Sequence, residues 1–409
     1  MQVRRRLVIY VQGYDPRGLA EYYRMFRREF RRTCELYGLT GKVGSPQNDP
    51  KRFTTAWDVT TNGDGWQVTT RYMFLRWEDI IRKDFARAPW WKIVHMVRAM
   101  VLAIFKGVVW RILKAHWRFG LFTLYPFVLM TLWIFLGVFI GALMMNLLLM
   151  LGAPVLVARV VSVITGVGSF ASLLWLTEKQ TYLLYLCDDC ASTYQFATRQ
   201  RPDWENRMDT FTGYLIDAVA QNDADEVVIV GHSSGSFLAV DVLDRALARD
   251  PDLGRHGPKL SLLTIGANLP IIGFHPQAQW FRDRLRRLAI APDIAWVDYQ
   301  SRHDVMNFWP FDPIAGHGIS LDPEDRRNPL VVAISFRDLW KPADFARRRW
   351  RFFRAHFQFL LANERLGAAY DYYLICCGPF DLVTRATHPA EVIGAFAAKP
   401  EPPGNPRIA

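Results

Sequence analysis

Cysteine is scarce, with five in 409 residues, and that count excludes a disulfide framework. Cys187 and Cys190 form a lone CxxC, while Cys376 and Cys377 stand side by side in an apolar run, so free buried thiols in a reducing compartment are expected. No cluster has convincing metal-ligand spacing and no glycine loop is of Walker type, so neither a metal nor a cofactor is expected. The apolar stretch Leu7–Val11 behind Arg4–Arg6 is shorter than a signal-peptide core, and secretion is not expected. Internal repeats and low-complexity tracts are missing as well. Acidic residues are absent from 89 to 118, and charge of either sign is absent from Leu121 to Leu151.

Elsewhere charge is plentiful. Fifty Lys and Arg against 39 Asp and Glu give a formal charge of +11. With 51% hydrophobic residues the chain is not disordered. The 15 Trp and 27 Phe suit a chain that meets a membrane interface. The basic residues are spread over helices and membrane flanks without a zinc-finger or RNA-binding signature, so no nucleic-acid partner is expected.

Leu7–Val11 reads as a buried strand, and residues 17–37 as a helix with one basic and one aromatic face. Residues 52–60 and 66–77 flank Asn62-Gly63-Asp64-Gly65, a hairpin signal. Residues 89–118 predict a basic amphipathic helix in the headgroup region. Two spans, about 121–147 and 154–176, follow around the turn Gly152-Ala153-Pro154, each near the ~20 apolar residues that cross a bilayer. An uncharged run of this length argues against the alternative, a soluble lid over residues 119–176. Ten basic and three acidic residues between Arg76 and Arg118, then Glu178, Lys179, Arg199 and Arg201, place both flanks in the cytoplasm. Arg159 would snorkel at the far end.

The second half alternates helix and strand: helix 204–221, strand 225–230, helix 235–249, strand 259–265, helix 276–289 and strand 294–299. A further strand at 330–336 and a helix at 342–365 follow. The expected fold is α/β with a mostly parallel sheet and an inserted helical membrane hairpin. Residues 1–81 and 179–398 would form one domain, residues 82–178 the membrane insert and residues 399–409 a loose tail.

Within the strand–helix junction at 225–249, Val227–Val230 run into Gly231-His232-Ser233-Ser234-Gly235. This is G-x-S-x-G between an apolar strand and a helix, the context the motif requires. Gly231 and Gly235 let strand and helix approach, which lifts Ser233 above the sheet at a helix N-terminus. Here the chain resembles the α/β-hydrolase superfamily, outside roughly residues 82–178. The resemblance implies a triad in the order Ser, acid, His. Asp304 follows the strand ending at Tyr299, and Asp304-Val305 before a Pro-containing stretch is similar to the acid loop of class-3-type lipases. Asp298, within the strand, is the competing acid. Among the later histidines, His356 precedes an apolar segment, His317 lies between glycines and His388 precedes a proline; the spacing favours His356. His232 and His303 merely precede their motif residues.

By the same resemblance, the N–H groups of Ser234 and Tyr14 would form an oxyanion hole, with Gly13 allowing the turn and Gln12 replacing the usual His. The expected protein is an integral membrane serine hydrolase with a cytoplasmic catalytic domain, acting on acyl esters or thioesters with membrane lipids as partners. A non-catalytic membrane scaffold retaining the fold is the alternative.

Overall fold

The computed structural model describes residues 2–221, 224–348 and 351–396; the tail expected at 399–409 lies outside them. Two compact units are present: the described residues within 2–81, 202–273 and 278–396 form the first, and residues 82–201 with 274–277 the second.

The first unit is built on a nine-stranded sheet. Its strands are β1 (Arg5–Val11), β2 (Thr40–Val43), β3 (Gln47–Asp49), β4 (Thr54–Gly63), β5 (Trp66–Leu75), β6 (Glu226–His232), β7 (Lys259–Ile265), β8 (Ile294–Ser301) and β9 (Leu330–Ile334). They lie in the order β2-β4-β5-β1-β6-β7-β8-β9, with β3 also on β4. The pairings from β5 to β9 are parallel, and those of β4 with β2, β3 and β5 are antiparallel. The sheet is therefore mixed, and the fold is α/β. β6 is buried along its whole length, as a strand covered on both faces must be. The β4–β5 hairpin closes at Gly63 opposite Trp66, with Gly65 at φ +75°. That conformation is one glycine adopts readily.

An ion pair fixes the amino ends of the central strands. Arg6 Nε lies 2.9 Å from Glu226 Oε2 with both side chains fully buried. Arg6 also donates to the Gly378 and Phe380 carbonyls, and Glu226 Oε1 accepts from Ser261 Oγ and the Leu382 N–H. A buried pair persists when its remaining polar atoms are satisfied in this way. The carboxyl ends of β1, β6 and β7 lead into loops that begin at Gln12, Ser233 and Gly266.

The helix expected over 342–365 is broken. The described parts are short helices at Pro342–Arg348 and Phe352–His356 and a 3₁₀ turn at Phe357–Leu360. Tertiary donors take the carbonyls that a longer helix would use: Tyr370 Oη donates to Phe359 O, and Tyr373 Oη to Leu360 O.

In the second unit, the stretch read as one basic helix is two. Pro89–Phe105 and Val108–Ala115 are separated at Gly107, φ +73°. Two helices, Trp117–Met150 and Val155–Thr181, are long and apolar enough to cross a membrane. The first runs beyond the expected 121–147 at both ends, and the second, expected at 154–176, begins at Val155 and continues to Thr181. Small residues form their seam. A Cβ on Gly137 would lie 2.8 Å from the Gly166 oxygen, and one on Gly141 2.8 Å from the Ser162 oxygen. Close backbone approach of this kind is how apolar helices associate without a hydrophobic driving force. The unit runs past the boundary expected at 178 because the Leu183–Ala197 helix packs into it: Leu183 and Cys187 cluster with Met96, Met100, Met130 and Leu174.

Candidate active site

β6 ends at His232, and the Gly235–Arg249 helix begins three residues later. Between them Ser233 sits at φ +57°. A non-glycine residue in the left-handed region costs about 1–2 kcal/mol and marks a site where strain is retained. The flanking glycines make the turn possible. A Cβ on Gly231 would meet the Gly235 oxygen and Ser236 Cα at 2.6 Å, and one on Gly235 would strike the Val11 oxygen and lie 2.8 Å from that of Gln12. The Ser233 N–H donates to Ile265 O (3.2 Å), and Ser236 Oγ donates to Ser233 O (2.6 Å). Ser234 is the first residue of the turn into the helix, where N–H groups lack helical partners.

Asp304 follows β8. Its loop is held by Asn307, whose Nδ2 donates to the Ser301 and Asp304 carbonyls (2.7 Å each) and whose Oδ1 accepts from the Ser301 N–H. Asp304 Oδ1 accepts the Met306 N–H (2.9 Å), and Oδ2 lies 2.6 Å from His356 Nδ1. Asp304 is 0% exposed and His356 2%. With Nδ1–H donating to the carboxylate, Nε2 carries the lone pair, and it has no hydrogen-bond partner among the described residues. The imidazole is seated against Gly266 (φ +54°), where a Cβ would lie 3.0 Å from His356 Cε1. The His232 ring lies 4.7 Å from it, centroid to centroid, and His232 Nε2 is 3.3 Å from His356 O. Burial, and next the neighbouring His356, push the His232 pKa well below the ordinary histidine value. His232 is therefore a neutral support.

The loop after β1 passes beside the serine. A Cβ on Gly13 would lie 3.0 Å from Ser233 Cβ and 3.4 Å from Oγ, so a larger residue would crowd the hydroxyl. Tyr14 is buried, its ring 6.1 Å from that of Trp77 and 6.0 Å from that of Trp204. Gln12 holds the loop from its backbone, its carbonyl accepting from Trp77 Nε1 (3.1 Å).

The other candidates are engaged elsewhere. Asp298 accepts from Thr264 Oγ1 (2.6 Å) and Gln300 Nε2 (2.7 Å) inside the sheet. Burial raises its pKa to about 6 against those two hydrogen bonds. His317 Nδ1–H donates to Pro313 O (2.6 Å), and the ring packs edge-on to Phe311. His388 bonds to Thr387 at the surface, and His303 Nδ1 accepts the Phe336 N–H. The five cysteines are free thiols, and among the described residues no group of three or more His, Cys, Asp or Glu is arranged to hold a metal ion.

No family model, curated protein or solved structure matches this chain.

The turn at Ser233 follows β6, the Gly266 seat of the His356 ring follows β7 and Asp304 follows β8, all at carboxyl ends of neighbouring strands, where open α/β sheets place their ligands. Among the described residues Asp304 bonds to His356, and His356 Nε2 is not hydrogen-bonded to Ser233 Oγ. Sequence reading missed Gly266, Ser236 and Asn268. Asn268 Nδ2 lies 3.3 Å from Ser233 Oγ. The available signal was positional: Gly266-Ala267-Asn268 directly follows an apolar strand.

Proposed function

We propose that this chain is a membrane-anchored serine hydrolase of α/β-hydrolase type that cleaves acyl esters or thioesters through Ser233, His356 and Asp304. The observation that carries the reading is Ser233 at φ +57° beside a buried Asp304–His356 pair whose Nε2 lacks a partner. His356 Nε2 takes the Ser233 hydroxyl proton as Oγ bonds to the acyl carbon. Asp304 keeps the imidazole in the tautomer that can accept that proton and stabilises the imidazolium that forms. The Ser234 and Tyr14 N–H groups receive the carbonyl oxygen as it becomes an oxyanion; one such donor is worth about 10²–10³ in rate. The imidazolium returns its proton to the departing alcohol or thiol. Water, deprotonated by the same nitrogen, then releases the acid and restores the serine.

The apolar hairpin and the acid-free segment before it support a lipid-like acyl substrate taken from the leaflet, cytoplasmic by the bias of basic residues. Lys106, Arg111, Lys114 and Arg118 alternate there with exposed Phe105, Trp110 and Trp117, a composition suited to anionic headgroups.

The test is labelling of detergent-solubilised protein by a fluorophosphonate probe. Wild type labels, and Ser233→Ala and His356→Ala do not. A folded wild type that stays unlabelled overturns the hydrolase reading and favours a membrane scaffold.

A further inference from the structure

We propose that Asn268 is a further catalytic residue: its carboxamide N–H holds Ser233 Oγ and stabilises the negative charge that builds on this oxygen as its proton leaves. The inference rests on the reading of Ser233 as nucleophile. Asn268 lies in the loop after β7, and its place is set by bonds independent of the one to Oγ. The Asn268 N–H donates to Ser236 Oγ (3.1 Å), and that hydroxyl donates to Ser233 O (2.6 Å). The Ser233 N–H in turn donates to Ile265 O, three residues before Asn268 (3.2 Å). The two side chains are thus delivered to each other by a closed set of backbone-anchored bonds, with Asn268 only 6% exposed.

The polarity of the contact decides what it does. A serine hydroxyl has one hydrogen to give and two lone pairs to offer, whereas an amide nitrogen has no lone pair to accept with. With Nδ2 donating to Oγ, the hydroxyl hydrogen is not drawn toward Asn268 and stays available to His356 Nε2, which has no hydrogen-bond partner among the described residues. As Nε2 takes that proton, Oγ gains negative charge beside a donor already in place. An interaction that strengthens only as charge develops lowers the barrier rather than tightening substrate binding.

The test measures fluorophosphonate inactivation of the detergent-solubilised full chain, with the maximal rate and the half-saturating probe concentration determined separately. Asn268→Ala should lower the maximal rate about 10²-fold with half-saturation unchanged. Asn268→Asp keeps the shape but replaces the donor with an acceptor that competes for the serine proton, so it should be slower than Asn268→Ala. Thermal unfolding of each variant reports folding. A labelled wild type with Asn268→Asp within threefold of it would reduce Asn268 to a packing role and overturn the inference while leaving the nucleophile intact. Absence of Ser233 labelling in folded wild type would overturn both. If Asn268→Ala unfolds, the isosteric Asp variant decides alone.

Discussion

Replacing Asp304 by Asn tests the proposed relay at its least exposed member. The carboxylate makes two bonds: Oδ1 accepts the Met306 N–H at 2.9 Å, and Oδ2 accepts from His356 Nδ1 at 2.6 Å. In Asp304→Asn, the carboxamide oxygen keeps the Met306 bond, because the Asn307 side chain fixes that loop through the Ser301 and Asp304 carbonyls. The new NH₂ then faces His356 Nδ1. Two donors cannot face each other, so the imidazole moves its proton to Nε2 and can no longer accept from Ser233. Loss of the correct tautomer in serine triads costs about 10⁴ in rate, or roughly 5.5 kcal/mol of transition-state stabilisation. The loss of folding stability should be smaller, about 1–3 kcal/mol, because a charge-assisted bond gives way to a neutral one in the same place. The assay is the second-order rate constant for fluorophosphonate labelling beside thermal unfolding, with Asp298→Asn as the control. Asp298 is buried and hydrogen-bonded as well, but to Thr264 and Gln300. Its substitution should leave labelling within a few-fold. The reasoning is refuted if folded Asp304→Asn keeps more than a tenth of the wild-type rate, or if Asp298→Asn loses as much.

Ser233→Gly removes the left-handed strain along with the nucleophile, so it should raise unfolding stability by about 1 kcal/mol while abolishing labelling; a less stable variant contradicts the strain assignment. Burial drives the His317 pKa down to about 4, against about 6.5 in an unfolded chain. A neutral, half-buried His with a depressed pKa contributes stability that is whole above pH 6.5 and declines as pH falls toward 4. By pH 5 about 2 kcal/mol should be lost. His317→Gln should therefore flatten the wild-type stability profile between pH 7.5 and 5, and an unchanged slope rejects the burial argument. Gly137→Leu inserts a side chain where even a Cβ would lie 2.8 Å from the Gly166 oxygen, so it should splay the hairpin. Disulfide trapping between cysteines introduced at Met145 and Ser162, whose Sδ and Oγ lie 3.9 Å apart, should fall in that variant; equal trapping argues against the seam.

What the sequence made legible was local. Val227–Val230, the glycines at 231 and 235 and the apolar residues beyond each state a strand, a tight turn and a helix within twenty residues, and the backbone follows. The hairpin around Asn62-Gly63-Asp64-Gly65 was equally explicit, and its turn puts a glycine, Gly65, at the one position of positive φ. The choice between Asp304 and Asp298, and between His356 and His317, had no local answer. Spacing along the chain cannot say that Thr264 and Gln300 occupy one carboxylate or that Pro313 occupies one imidazole.

The same limit explains the features that went unseen. β2 (Thr40–Val43) and β3 (Gln47–Asp49) are largely polar and exposed, and they are strands because β4 offers a free edge. The helix expected over 342–365 had acceptable local propensity but lost its carbonyls to Tyr370 and Tyr373, side chains from farther along the chain. Asn268 belongs with these. A carboxamide after a strand has no pattern that separates it from any polar loop residue. Its meaning comes from β6 and β7 lying side by side, which carries the loop after one strand to the turn after the other. The proposed chemistry depends on that adjacency more than on the motif. G-x-S-x-G supplies a strained hydroxyl, while the donor to its oxygen, the seat for the imidazole at Gly266 and the close approach at Gly13 all come from neighbouring strands. A variant that keeps every motif residue but shifts the β6–β7 register by one would therefore retain the elbow and lose the site.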